Sequence, residues 1–434
     1  MTSRPEIVQV PTRHRDEVRE DGFQEGVVFV SQVPTSGDSG PVALWITCAS
    51  WATAAQSIWG RAWILTPEGS FAPEEALLHA SRQGLASRPT RWWRPYLPEV
   101  LITAYKDVRE LMRALEFRRA IRQLPPIKGD VKFVWQHHDL FNTAGFEIAR
   151  RLGTPLVLFV DAPTVWEDHR SGVHRPGWGK ALETIGERPQ FRSADVVACV
   201  SDEVAHEVRK RGAVEHRVIV TPTGVDPRRF SPTISGDAVR RQAGHAGCFV
   251  VGWMGSFRPF HGLDLTIKAM AMLQETIPGL ALLLVGDGQE RHRIEDLVRE
   301  LGIRRAYFSG TVLHATVPQY IAAMDVAVVA AESETGFHYS PIKLREYMAC
   351  ARPIVAPRVG EIERLLTDGE DALLVAPSDP RALAQGIHRL YRDEGLRSQL
   401  GQTARAKVHA ISWEHQVRRV WEQLQSRASE NKAT

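Results

Sequence analysis

Short apolar runs alternate with longer amphipathic stretches along most of this chain. The runs VALWIT (42–47), AWILT (62–66), VKFVWQ (131–136), PLVLFV (155–160), DVVACVS (195–201) and RVIVTP (217–222) read as buried strands. Between them, residues 101–124 carry Leu101, Tyr105, Val108, Leu111, Met112, Leu115, Ile121 and Leu124 near a 3.6-residue period. That spacing predicts a core helix with a solvated basic face. The alternation breaks at TPTGVDPRRFSPT (221–233), a Pro- and Gly-bearing segment that suits an inter-domain linker. It resumes with CFVVGWM (248–254), LALLLVG (280–286), AYFSG (306–310), DVAVVAA (325–331), RPIVAP (352–357) and ALLVAP (372–377). The pattern predicts an α/β protein of two doubly wound Rossmann-like domains facing a cleft. The expected divisions are a mobile segment 1–22, an acceptor-side domain 23–222 and a ligand-binding domain 223–405. A helix at 406–427 turning back toward the first domain and a tail at 428–434 complete them.

Composition narrows the picture. The 434 residues suit two cores, and a net charge of +3 with 24% charged residues argues neither for a nucleic-acid-binding protein nor for a disordered one. The four cysteines, Cys48, Cys199, Cys248 and Cys350, are scattered. They predict free thiols in a reducing compartment. Residues 1–22 lack the apolar stretch of a secretory signal, and no run approaches the ~20 apolar residues of a membrane span. The expected location is therefore cytoplasmic, with peripheral membrane contact allowed.

The richest chemistry lies in HYSPIKLREYMAC (338–350). Ser340 reads as a helix N-cap and Pro341 as the first helical residue. Lys343 then falls in the first turn, where the helix dipole makes a cation cost ~0.3 kcal/mol or more. An anion seated at the start of the helix, on Ser340, Pro341, Ile342 and Lys343, reverses that sign. Glu346 shares a helical face with Lys343 and could accept hydrogen bonds from two vicinal ribose hydroxyls. Spacing alone equally allows a solvated surface pair. A second segment, GSFRPFHG (255–262), turns from strand to helix between Gly255 and Gly262. It reads either as an anion loop or as an ordinary turn. A third, HHD (137–139), ends a strand on the cleft side, where His and Asp can hydrogen-bond a sugar hydroxyl or move a proton.

The stretch SPIKLREYMACARPIVAPRVGEIERLLTDGEDALLVAPSDPRALAQGI resembles the donor-binding signature of the family-four retaining glycosyltransferases of GT-B fold. The resemblance covers about residues 130–425, with GDGQE (286–290), FSGTV (308–312) and LGTPLVLFVDAP (152–163) as further matches. It implies a retaining, metal-independent transfer of a sugar from a nucleotide diphosphate sugar to an unidentified acceptor. No cofactor and no enzyme nucleophile are implied. Glu346 matches the second Glu of the family's Glu-seven-Glu pair, and the first falls on His338. The diphosphate-binding Arg and Lys of the family fall on Ser256 and His261, which leaves Arg258 and Lys343 to carry the charge. Val312 falls where backbone groups meet the base. His138 takes the place of the family's catalytic His, with Asp139 beside it as a second catalytic candidate. No Gly-Gly pair appears in VALWITCASWATAAQSIWG (42–60), so acceptor contacts do not transfer. The departures at Ser256 and His338 leave open a degenerate binding or scaffold protein, or another GT-B enzyme such as a sugar-nucleotide epimerase. RPTRWWRPYLP (88–98) reads as an inward-packed loop, or as an acceptor platform or membrane contact through Trp92, Trp93 and Tyr96.

Overall fold

A computed structural model defines residues 26–30, 42–66, 69–76, 98–123, 130–258, 261–331 and 340–433. The aromatic loop at 88–97, His338 and the segment after the first strand lie outside the described residues. So does Leu124.

Two sheets organise the described chain. The first comprises β1 (Gly26–Val30), β2 (Ala62–Thr66), β3 (Gly69–Phe71), β4 (Val131–His137), β5 (Leu156–Val160), β6 (Val196–Cys199) and β7 (Val218–Val220). Its order is β3-β2-β1-β4-β5-β6-β7, parallel throughout except for the β2–β3 pair. The second comprises β8 (Phe249–Met254), β9 (Leu280–Val285), β10 (Ala306–Phe308), β11 (Val326–Val328), β12 (Ile354–Pro357) and β13 (Leu373–Val375). It runs β10-β9-β8-β11-β12-β13, all parallel. Val, Leu and other apolar residues dominate these strands because helices cover both faces, and most positions are buried. Strand order reverses at β1/β4 in the first sheet and at β8/β11 in the second. Chains leaving neighbouring strands in opposite directions open a crevice at each reversal.

Two sequence expectations fail here. VALWIT is no strand but the start of the helix Val42–Trp59. Its continuation through Ala49, Ala52, Ala54 and Ala55 favours a helix, and burial on most sides makes it apolar throughout. The first strand is Gly26–Val30 instead, and residues 31–41, which follow it in sequence, lie outside the described residues. The helix Glu99–Arg122 also departs from its predicted orientation. It buries Thr103, Asp107, Ala114, Phe117 and Ile121, and leaves Leu101, Tyr105, Val108 and Met112 exposed.

The two lobes are joined at a tight crossing. The linker passes Thr223, Gly224 and Val225, and Val225 pairs with Ser412. A Cβ at Gly224 would stand 2.6 Å from the Trp413 nitrogen, so only glycine fits. Beyond the crossing, the helix Trp413–Ala433 inserts Trp413, Val417, Val420 and Leu424 into the first lobe's core. Across the cleft, Arg364 bonds Glu203 at 2.8 Å and Asp202 at 3.3 Å. Those residues follow β12 and β6, so the carboxyl ends of the two sheets face each other.

Candidate functional site

The site is built on the helix Ile342–Ala349, which follows β11 at the second sheet's reversal. Its N-terminus is fastened from three directions. Pro341 is the cap residue, extended at φ −69° and ψ 112°, with no side-chain cap bond. Ser340 therefore does not cap the helix, contrary to the sequence expectation. Its hydroxyl is taken up by Thr223, accepting from the Thr223 N–H at 3.1 Å and lying 2.9 Å from its hydroxyl. This ties the linker to the helix start. Tyr347 Oη accepts the Met254 N–H at 2.9 Å, locking the helix to the end of β8. Arg345, 1% exposed, forms a buried ion pair with Glu361 and donates to the Pro341 carbonyl at 3.5 Å. A helix held this firmly presents its leading N–H groups in a fixed geometry.

Lys343 and Glu346 project from this helix into the reversal. Lys343 Nζ sits 4.2 Å from the centroid of the buried Trp253 ring. It has no ion pair among the described residues. A Cβ at Gly255 (φ +150°) would come within 3.1 Å of that ammonium, so glycine keeps the approach open. Burial lowers the Lys343 pKa to about 7, with Glu346 opposing the shift. Glu346 is 4% exposed, and its Oε1 lies 3.3 Å from His314 Nε2. These burials exclude the solvated surface pair that the spacing left open.

The adjoining loop meets the same point. His261 Nδ1 lies 2.6 Å from the Ser256 carbonyl, which fixes Nδ1 as the proton-bearing nitrogen. Burial first, and Lys343 second, push the His261 pKa down to about 3. His261 is therefore neutral at pH 7 and brings no charge to the position where the family has Lys. Ser256 and Arg258 are exposed at the mouth. Val312, half-buried, precedes His314 and packs against the core beneath the helix. Gly255, Ser256, Arg258, His261, Val312, Ser340, Pro341, Ile342, Lys343 and Glu346 thus all lie around the β8/β11 reversal or the loops that flank it.

At the first sheet's reversal, β4 ends on His137, and the His138 N–H donates to the Phe159 carbonyl at 2.7 Å. The His138 ring turns inward. Its Nε2 lies 3.3 Å from Glu187 Oε1, and its ring centroid is 4.8 Å from that of Phe191. Glu187 ends a wide π-helical turn, Glu183–Glu187, of the kind that often marks functional sites. Asp139 accepts the Leu140 N–H at 2.8 Å. Burial raises its pKa, partly offset by His137. His137 itself bonds Asp161, Nε2 to Oδ2 at 2.8 Å, and the Asp161 side chain is 41% exposed. His137 was singled out from the sequence within HHD, but its pairing with Asp161 at the open ends of β4 and β5 was not. Neither were Trp253, His314, or the Arg345–Glu361 and Tyr347 braces. His137, Asp161, Trp253, Arg345, Tyr347 and Glu361 all stood inside quoted stretches, and His314 two residues beyond one. Pairing was the missing signal, because it joins segments far apart in sequence.

Comparison with known proteins finds glycosyltransferases. The profile described as "Glycosyl transferases group 1" matches residues 248–393, and "Glycosyltransferase Family 4" matches residues 61–229. D-inositol 3-phosphate glycosyltransferase of Acidothermus cellulolyticus is 30% identical over 298 residues, 65% of this chain and 64% of that protein. The enzyme of the same name from Salinispora arenicola is 30% identical over 308 residues, 67% of each chain. The matches thus span about two thirds of the length of these curated relatives. Among solved structures, Anabaena HepE in complex with UDP superposes with a TM-score of 0.63 at 20% identity, covering 92% of this chain and 100% of that one. WaaG, a glycosyltransferase involved in lipopolysaccharide biosynthesis, gives a TM-score of 0.61 at 16% identity, covering 92% and 99%.

Proposed function

We infer the activity from the family: this chain belongs to the group 1, family 4 glycosyltransferases. We propose that it moves a sugar from a nucleotide diphosphate sugar to an acceptor hydroxyl, with retention of configuration and without a metal. The observation that carries the reading is the buried, braced start of the helix Ile342–Ala349, with Lys343 and Glu346 facing the β8/β11 reversal. The helix N–H groups, the Gly255 backbone and Lys343 receive the diphosphate. Glu346 accepts from the ribose, with His314 holding one of its oxygens. As the glycosidic bond to the diphosphate breaks, negative charge gathers on the leaving oxygen. Fixed dipoles and the Lys343 ammonium stabilise that charge without reorganising. Arg258, at the mouth, adds to the field. On the acceptor side, Asp139 at the end of β4 orients or deprotonates the incoming hydroxyl, and His138, turned inward onto Glu187, positions the backbone that carries it. The expected workplace is the cytoplasm, where the four cysteines stay as thiols.

The test is a panel of nucleotide sugars scored by thermal stabilisation and by slow hydrolysis, run with and without a chelator. At least one donor should raise the melting midpoint and be turned over in both conditions. Glu346→Ala should weaken that donor by about 10- to 100-fold, the loss of charge-assisted hydrogen bonds. A panel with no stabilising member would point to a scaffold protein and end this reading.

A further inference from the structure

The pair His137–Asp161 has no part in the donor chemistry, yet it is built like a binding group. His137 ends β4 and Asp161 follows β5, its neighbour in the first sheet. The imidazole is held on both sides by aromatic rings, with centroids 6.3 Å away at Trp135 and 6.0 Å away at Phe159. His137 is 8% exposed, and its Nε2 lies 2.8 Å from Asp161 Oδ2. Asp161 reaches solvent, with 41% of its side chain exposed. The pair therefore starts in the core and ends at the crevice that opens beyond the strands.

The free valences of the pair are of one kind. A carboxylate only accepts, so Nε2 carries the ring proton and Nδ1 of the neutral imidazole presents a lone pair. Among the described residues neither Nδ1 nor Asp161 Oδ1 has a hydrogen-bond partner. A nearly buried ring nitrogen without a partner calls for a donor from outside. Asp139 stands beside the pair, since His137 leads the influences that oppose the rise in its pKa. Arg113, whose charge also reaches Asp139, is itself bonded to Glu110 at 3.0 Å.

A ligand that fits these atoms must bring hydrogens. Adjacent hydroxyls do so, one to Nδ1 and one to Oδ1. A phosphate or carboxylate in the same place would bring only oxygens and negative charge against a lone pair and a carboxylate.

We propose that His137 and Asp161 form an acceptor subsite that selects an uncharged polyol. The hydroxyls flanking the reacting one donate to Nδ1 and Oδ1, while Asp139 meets the reacting hydroxyl. An acceptor phosphorylated at those flanking positions is refused. The inference rests on the glycosyl-transfer reading and refines it by naming the acceptor class.

The test is saturation-transfer NMR on the full chain without nucleotide. The probes are glucose, mannose and myo-inositol, each set against its monophosphates. At least one neutral polyol should bind, and its phosphates should bind about tenfold more weakly or not at all. His137→Ala and Asp161→Asn should each weaken that polyol by about 3- to 10-fold. Asp161→Lys puts a cation at an exposed position and should turn the preference toward the phosphates. A merely structural pair would lose polyol binding and melting midpoint together, with no reversal of preference. Three results would overturn the proposal: no polyol bound by the wild type, a phosphate bound better than its parent polyol, or polyol binding unchanged in both His137→Ala and Asp161→Asn. Thermal stabilisation by nucleotide sugars, scored on the same preparation, keeps the donor reading separate. A donor that stabilises the chain while no polyol binds would sink this inference alone.

Discussion

Donor binding should take up a proton, and Lys343 should be where it goes. In the free protein burial lowers its pKa to about 7, and Glu346 only partly opposes the shift. A diphosphate at the helix start adds negative charge within contact distance and restores the ordinary value near 10.5. At pH 8 the free side chain is ~10% protonated, so binding draws in about 0.9 proton; at pH 7 the uptake is about 0.5, and at pH 6 about 0.1. The affinity therefore stays high below pH 7 and falls by about tenfold per unit as pH rises above it. The folding linkage has its own sign. The folded pKa lies below the unfolded one, so the charged lysine destabilises the fold below pH 7, and that cost is relieved between about 7 and 10.5. Its upper bound is on the order of 5 kcal/mol. The assay is titration calorimetry at pH 8 with UDP-glucose, in two buffers of different ionisation enthalpy. UDP-glucose is chosen because it lacks the terminal phosphate group that titrates near pH 6. Lys343→Met should abolish both the uptake and the pH slope, and should raise the melting midpoint at pH 6. Proton uptake that survives in Lys343→Met, or affinity flat from pH 6 to 8 in the wild type, would refute the reasoning.

Other outcomes follow from the same contacts. Arg345→Met leaves Glu361 buried and unpaired, which should lower unfolding free energy by about 3–5 kcal/mol in urea titration and loosen the helix start. Gly224→Ala drives a Cβ toward the Trp413 backbone and should cost about 1–3 kcal/mol, with donor affinity preserved in whatever folds. On the acceptor side, His138→Ala should reduce kcat with little change in donor KM. His137→Ala frees Asp161 and should act mainly on acceptor KM; equal effects of both variants on donor KM would place neither on the acceptor side.

Much of the fold could be read from periodicity. All six strands of the second sheet appear as short apolar runs, because a parallel sheet covered on both faces leaves little room for polar side chains. The helix Ile342–Ala349 was equally visible, since Lys343 in a first turn is a local anomaly that singles it out. Orientation was harder to read. Val42–Trp59 was mistaken for a strand because burial on most sides erases the amphipathic period that identifies a helix. Glu99–Arg122 was turned the wrong way because a 3.6-residue stripe fixes a face and says nothing about what lies against it. That was decided by Arg175, 68 residues along the chain from Asp107.

The sequence by itself determined the alternation of strands and helices in the second lobe, the linker, and the spacing that puts Lys343 and Glu346 on one helical face. These depend on backbone geometry and side-chain type within a few residues. Only the tertiary structure decided that Ser340 binds Thr223 rather than capping, that Lys343 rests on Trp253, that His138 turns inward to Glu187, and that a leucine stripe faces outward. Each of these is a pairing across long stretches of chain. Which partner arrives, and how far water is excluded when it does, depends on the packing of the whole molecule.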